Sequence, residues 1–300
     1  MTTLTFATRP SKLARWQTHY VCQQLQLAWD ELVCEQSVIT TKGDRVLNKP
    51  IPEIGGKGLF TYELEQALRD GHVDAAVHSL KDLPTENAPG LTVGVIPERA
   101  DPRDTLICPA GDTLEELPSG ARVGTSSVRR RAQLLAIRPD LQVLPLRGNV
   151  DTRLRKVNEG QYDAIILAAA GVTRLELKKN IAQYLTFDFM LPAPGQGALA
   201  VQCREDDVQT LSILRAIDHP PTRLAVTAER AFLAALGGGC SLPVGALATV
   251  KGNQIELQGV IVSPDGSETL RLQDTHTDPH KLGQELAQQA FTKGAAEVMS

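Results

Sequence analysis

The chain has 300 residues, 31 Lys and Arg against 35 Asp and Glu, a formal net charge of −4, and 42% hydrophobic with 22% charged residues, which is ordinary for a globular protein of two or three domains. Its longest apolar run, Ile165 to Val172, is far shorter than a membrane span, and the N-terminal MTTLTFATRPSKL lacks an apolar h-region, so the chain reads as cytoplasmic, or as a mature form, with no membrane partner. Five widely spaced cysteines (Cys22, Cys34, Cys108, Cys203, Cys240) contain no CxxC pair, which argues against a disulfide framework and against a zinc cluster; no metal is expected and at least one thiol stays free.

Leu4 to Thr8 is expected to be a strand. After Arg9-Pro10-Ser11, the spacing of Leu13, Trp16, Tyr20, Val21, Leu25 and Ala28 predicts an amphipathic helix. A second strand spans about Val33 to Thr40. The following TKGDRVLNKPIPEIGGKG has too many prolines, glycines and charges for regular structure over most of its length, and its segment from about Val46 to Gly56 is expected to act as a lid. A helix from Leu59 to Arg69, with Leu59, Phe60, Leu64, Ala67 and Leu68 on one side, leads into VDAAVHSLKDLP. Its small and β-branched first half predicts a buried strand, and its C-terminal end releases His78, Ser79, Lys81 and Asp82 into a loop closed by Pro84, the place where an open α/β sheet carries its ligand chemistry. A solvated Lys-Asp pair before a turn is the alternative.

From Ala121 the pattern repeats. ARVGTSS reads as strand and turn, SVRRRAQLLAIRP as a helix stopped at Pro139, LQVLPL as a strand, and GQYDAIILAAAGV matches GHVDAAVHSLKDL. GTSSVRR stands where ATRPSKL stands in the first half. The repeat predicts two similar α/β lobes facing a cleft, each with a Ser (Ser11, Ser127) capping a helix whose N-terminal N–H groups and dipole favour an anion. Between Arg129 and Lys156 eight basic residues stand against two acids, a local balance of +6, so the rest carries −10. No aromatic residue falls inside this stretch, so a compact polycarboxylate or phosphate suits it better than nucleic acid, with a solvated helix face as the alternative.

PAPGQGALAVQC reads as a Pro/Gly hinge and a strand that returns the chain to the first lobe, followed by a helix from about Asp206 to Ile217. A helix from Pro221 to Leu236 ends at GGGCSLPVGA. Three strands, Val244 to Val250, Gln254 to Val262 and Thr269 to His276, and a helix from Pro279 to Lys293 complete a small α+β domain. The expected division is 1–98 with 198–217 as a discontinuous first lobe, 103–192 as a second, and 220–300 as a C-terminal domain.

Taken together, HSLKDLP, GTSSVRRRAQL, LRGNVDTRL, LPAPGQGALAVQCR and GGGCSLPVGA resemble the porphobilinogen deaminase (hydroxymethylbilane synthase) family, in unchanged order over essentially the whole chain. The resemblance implies an α/β fold of two periplasmic-binding-protein-like lobes of type II plus a C-terminal α+β domain with a three-stranded antiparallel sheet. It implies a monomeric transferase that condenses four porphobilinogen molecules head to tail on a covalent dipyrromethane primer, releasing ammonia, and then hydrolyses off hydroxymethylbilane. Cys240 matches the residue that carries dipyrromethane through a thioether. Asp82 matches the catalytic aspartate, which hydrogen-bonds pyrrole N–H groups, stabilises the azafulvene cation and shuttles protons. Arg9, Ser11, Thr125, Ser126, Ser127, Arg129, Arg130, Arg147, Arg153 and Arg174 match carboxylate-binding positions, where guanidinium forks suit acetate and propionate groups. Ser79 and Lys81 match cofactor contacts, Lys57 and Phe60 follow the lid, and Gln17 and Gln196 match positions near the site. Two rivals share the scaffold. A non-catalytic two-lobed binding or sensor protein needs neither Asp82 nor Cys240, and a different transferase of anionic substrates has no use for the Cys240 loop.

Overall fold

A computed structural model describes residues 2–45, 58–239 and 242–299. By contact the chain forms two compact units, residues 1–99 with 198–223, and 100–197 with 224–300.

The first unit begins with β1 (Thr2–Thr8), α1 (Lys12–Ala28) and β2 (Leu32–Val38). α1 starts where the spacing predicts because the Ser11 side chain accepts the Ala14 N–H at 3.2 Å and so satisfies one of the donors that a helix N-terminus leaves open. Among the described residues of the loop that follows, a regular turn forms, α2 (Lys42–Arg45), inside a stretch expected to be irregular over most of its length. It forms because Thr41 donates both its N–H (3.1 Å) and its hydroxyl (2.8 Å) to Asp44. The expected lid, Val46 to Gly56, lies outside the described residues. The next helix, α3 (Tyr62–Arg69), starts three residues later than predicted. Gly58, at a φ of 91°, opens a turn whose carbonyl accepts from Thr61 and Tyr62, so Leu59 and Phe60 precede the helix rather than line it.

The chain then forms β3 (Ala75–Ser79), a 3-10 turn over Leu80–Asp82, and β4 (Leu91–Val95), which the sequence reading missed. After the excursion through the second unit, β10 (Leu199–Arg204) and α7 (Val208–Leu214) complete the first. Its sheet has the order β2-β1-β3-β10-β4, with β1 parallel to β2 and β3 while β10 runs antiparallel to its neighbours. Both faces are covered: Leu4, Phe6, Val21 and Leu25 form one core and Ala7, Leu64, Leu68 and Ala76 another. This explains why β3 is apolar at consecutive positions instead of alternating.

The second unit repeats the plan. It holds β5 (Asp104–Ile107), β6 (Arg122–Gly124), α4 (Val128–Ile137), β7 (Gln142–Leu144), α5 (Val150–Asn158), β8 (Ala164–Ala168), α6 (Ala169–Arg174) and β9 (Gln183–Tyr184). The sheet order β7-β6-β8-β5-β9 is the first sheet's order with β5 in the place of β10, again antiparallel to its central neighbour. The internal repeat in the sequence is thus a repeat of topology, and each of the two sheets has the order of a type II periplasmic-binding-protein lobe.

α8 (Pro220–Ala235) leads to β11 (Val244–Lys251), β12 (Gln254–Val262) and β13 (Thr269–His276), an antiparallel sheet closed by α9 (Pro279–Thr292) and α10 (Ala295–Val298). One face of this sheet buries Phe232, Leu257, Leu282 and Leu286. The other brings Leu247, Val260 and Val262 against Ala132 and Leu191, and a Cβ on Gly245 would stand 2.8 Å from the Leu191 carbonyl oxygen. This second apolar face is why residues 224–300 join 100–197 in one compact unit. No described helix is long and apolar enough to cross a membrane.

Candidate active site

In the first unit, β3 delivers the motif HSLKD to the end of the sheet beside its antiparallel neighbour, where the Leu80 N–H donates to the Ala198 carbonyl at 3.0 Å. His78 is buried, Ser79 and Lys81 are half-buried, and Asp82 is exposed at the end of the 3-10 turn. The Asp82 carboxylate has no hydrogen-bond or ion-pair partner among the described residues, so its acceptor sites remain available to a ligand. Gln17, on the buried face of α1, donates from Nε2 to Ser79 Oγ at 2.9 Å. Burial lowers the pKa of His78 to about 4, Gln202 opposes that shift, and the charge of Arg9 adds to it. His78 is therefore neutral at neutral pH.

That shift makes stability depend on pH. Between the ordinary value of 6.5 and about 4 the unfolded chain takes up a proton that the folded one refuses, so stability is complete above 6.5 and is lost as pH falls toward 4. The loss attributable to His78 reaches about 3 kcal/mol at the acid end of that window. Denaturant titrations at pH 7 and pH 4.5 on the parent and on His78→Gln check this: the variant's stability should fall less over the interval, and an equal fall in both would remove His78 as the cause.

Arg9 and Phe60 meet on the same side of the first unit. The Arg9 guanidinium lies 4.2 Å from the Phe60 ring centroid and forms a two-pronged ion pair with Asp44 through Nε (3.2 Å) and Nη2. Burial raises the pKa of Asp44, but Arg9 and Thr41 outweigh it and hold the carboxyl below its ordinary value. The Phe60 ring also packs so close to Gly43 that any Cβ there would overlap it. Asp44 was not a sequence candidate; the one local hint was a Thr three residues before an Asp. Lys57 lies outside the described residues. A surface pocket lined by Asn87, Leu91, Glu205 and Arg215 includes none of the candidate residues.

In the second unit the turn after β6 sets Thr125, Ser126 and Ser127 ahead of α4. Thr125 Oγ1 accepts the Ser127 N–H at 3.2 Å, Ser127 caps the helix by accepting from Arg130 N–H, and Ser126 Oγ is engaged by both the N–H and the C=O of Leu146. Arg129 and Arg130 are buried, with 4% and 5% exposure, and both point at Asp104, which is fully buried at the start of β5. Arg129 Nη1 donates to Asp104 Oδ2 at 2.8 Å, and Arg130 donates to Oδ1 from Nε (3.1 Å) and Nη2 (2.7 Å). Gln196 adds Nε2 to the same Oδ1 at 2.9 Å. Burial would push the Asp104 carboxyl up, but the two guanidinium charges prevail and hold it far below the carboxylate range. Removing one partner of such a buried group typically costs about 3–5 kcal/mol.

Of the two positive charges at the start of α4, one is thus neutralised from outside the basic run. The run also does not form one patch. Arg138 pairs with Asp140 (2.7 Å), Arg155 with Glu159 (2.8 Å), and Arg131 is exposed. Half-buried Arg147 and Arg153 flank the start of α5, where Arg153 Nε donates to the Gly148 carbonyl at 2.8 Å. Buried Arg174 ends α6 and donates from Nη2 to the Gly197 carbonyl at 2.8 Å.

Beyond α8, Gly237, Gly238 and Gly239 have φ values of 104°, 61° and 125°, three successive left-handed positions that only glycine takes without strain. They carry the chain to Cys240, which lies outside the described residues.

Family models match twice: porphobilinogen deaminase, dipyromethane cofactor binding domain, over residues 4–212, and porphobilinogen deaminase, C-terminal domain, over residues 223–292. Porphobilinogen deaminase of Brevibacillus brevis is 52% identical over 98% of this chain and 95% of its own length, and that of Roseiflexus castenholzii is 51% identical over 99% and 98%. The chain belongs to the porphobilinogen deaminase family. Among solved structures, a double mutant of the BvgS VFT2 domain of Bordetella pertussis aligns with 72% of this chain and 86% of its own at 19% identity, with a TM-score of 0.41.

The second unit fits the polycarboxylate cofactor for which the family's first domain is named. Arg129 Nε is buried without a hydrogen-bond partner among the described residues, while Nη1 of the same guanidinium is held by Asp104 and by the Leu191 carbonyl at 2.7 Å. A ligand carboxylate on the Nε side would satisfy that orphan donor, and the open N–H groups of the first turn of α4 favour the same charge.

Proposed function

We propose that this chain condenses four porphobilinogen molecules head to tail onto a dipyrromethane primer held by Cys240, losing ammonia at each addition, and releases hydroxymethylbilane by hydrolysis, acting as a monomer in the cytoplasm. The observation that carries this reading is the match to both porphobilinogen deaminase segments, which together span nearly the whole chain. When bound, dipyrromethane supplies the pyrrole carbon to which the first new ring is joined.

The chain's own residues have three tasks. Asp82 accepts hydrogen bonds from pyrrole N–H groups, offsets the positive charge that develops as the C–N bond to ammonia breaks, and takes up the proton displaced when the new C–C bond forms. An exposed carboxylate without a partner among the described residues supports that role. Arg129 and Arg130, with Thr125, Ser126 and Ser127, receive carboxylates of the primer, while Arg9, Arg147, Arg153 and Arg174 receive those of incoming rings. Ser79, Lys81, Gln17 and Gln196 orient these groups, and Lys57 and Phe60 close over them.

Cys240 carries the thioether. Among the described cysteines, Cys22 and Cys203 have thiol pKa values pushed up, Cys22 by its hydrogen bond with Cys34 and by burial, and Cys203 by burial to about 11. Thiols raised in this way are poor nucleophiles, whereas Cys34 is lowered by its hydrogen bond with Cys22, so replacement of Cys34 is the control that separates it from Cys240. Incubating the purified protein with porphobilinogen and following ammonia together with the tetrapyrrole tests the assignment. One ammonia per ring consumed is expected, and binding without ammonia release would leave a binding protein in its place.

A further inference from the structure

Asp104 belongs to none of the motifs by which the site was read, yet it is the residue on which the two buried arginines converge. Its two oxygens take four hydrogen bonds, from Arg129 Nη1, from Arg130 Nε and Nη2, and from Gln196 Nε2. Two guanidiniums side by side in a buried position repel one another and have several rotamers in which to separate. A fixed carboxylate at the start of β5 removes that freedom. It engages Arg129 on the Nη1 side only, so the Nε side of that guanidinium keeps its unsatisfied donor. Gln196 fixes the carboxylate in turn, since its Nε2 also donates to the Pro102 carbonyl at 2.7 Å.

We propose that Asp104 is the positioning residue of the Arg129–Arg130 pair: it neutralises one of the two charges and holds the forks so that Arg129 presents its Nε edge to a carboxylate of the dipyrromethane. This rests on the reading that Arg129 receives a primer carboxylate. Asp104 does not touch the ligand; its effect passes through the arginines.

The test uses full-length protein made in cells that cannot produce porphobilinogen, so that Cys240 starts unmodified. Each variant is mixed with porphobilinogen, the covalent gain in mass is followed by intact mass spectrometry, and folding is checked by circular dichroism. Asp104→Asn keeps the shape and loses the charge, and it should gain mass at least about tenfold more slowly than the parent. Asp104→Glu keeps the charge but shifts the forks, and its rate should fall between the two. Arg129→Leu should be slow, and adding Asp104→Asn to it should slow it by a smaller factor than Asp104→Asn slows the parent, because one of the two arginines through which Asp104 acts is already gone. Parental rates in folded Asn and Glu variants would overturn the proposal, as would an Asn effect of full size in the Arg129→Leu background, which would mark Asp104 as merely structural. Should the Asn variant not fold, the Glu variant decides: a parental rate overturns the proposal and a slowed one supports it. A parental rate in Arg129→Leu alone would instead overturn the assignment of Arg129 to the primer, a distinct outcome.

Discussion

Asp82→Asn should fold, should carry its covalent primer, and should turn over porphobilinogen at least about a hundredfold more slowly than the parent. The expectation follows from exposure and chemistry together. The side chain stands exposed at the end of the 3-10 turn after β3, so exchanging its carboxylate for an amide removes no hydrogen bond or ion pair to the described residues and should barely change stability. The reaction, in contrast, asks this group to balance a developing cation and to take a proton, and an amide does neither. A positioned general acid/base contributes about 10²- to 10⁴-fold, and electrostatic stabilisation adds to it. Asp82→Glu keeps the charge and displaces it by one methylene, so it should lose less. Steady-state rates on variants whose intact mass shows the primer in place make the comparison. A near-parental rate in Asp82→Asn would return Asp82 to the role of a solvated surface residue.

Cys240→Ser should lose activity altogether, and for a different reason. The parent protein's intact mass should exceed the 32.4 kDa of its sequence by two linked pyrrole units, and the Ser variant should show the sequence mass alone. A hydroxyl is a far weaker nucleophile than a thiol near neutral pH, so the thioether has no ready substitute. Replacing Cys34, Cys108 or Cys203 should leave the excess mass in place. An unmodified parent that still turns over porphobilinogen would refute covalent attachment.

Much of the fold is legible along the chain because it is local. Ser11 and Ser127 mark two helix starts by side-chain caps, and both caps form. The C-terminal strands are bounded by turn residues, so β12 and β13 fall where they are predicted. β5 and β4 were missed because each is four or five residues long and depends on partners far along the chain: β4 pairs with β10, more than a hundred residues later. α5 was missed because five of its nine residues are charged or Asn and its buried residues are only Leu154 and Val157, too few to show a period.

The sequence by itself determined the repeat of two α/β units, the C-terminal sheet, the motif residues and, through their resemblance, the family, since all of these are written in spacing and residue type. Only the tertiary structure decided how the charges are paired. Asp104 lies 25 residues before Arg129 in a strand with no polar pattern, and Asp44 lies 35 residues after Arg9, so no local rule joins either acid to its arginine. A count of charge along the chain makes 129–156 one basic stretch. Folding divides it, because the direction of each side chain, set by helix phase and by the strand opposite, selects a buried carboxylate for Arg129 and Arg130, surface acids for Arg138 and Arg155, and the Val143 carbonyl for the exposed Arg131.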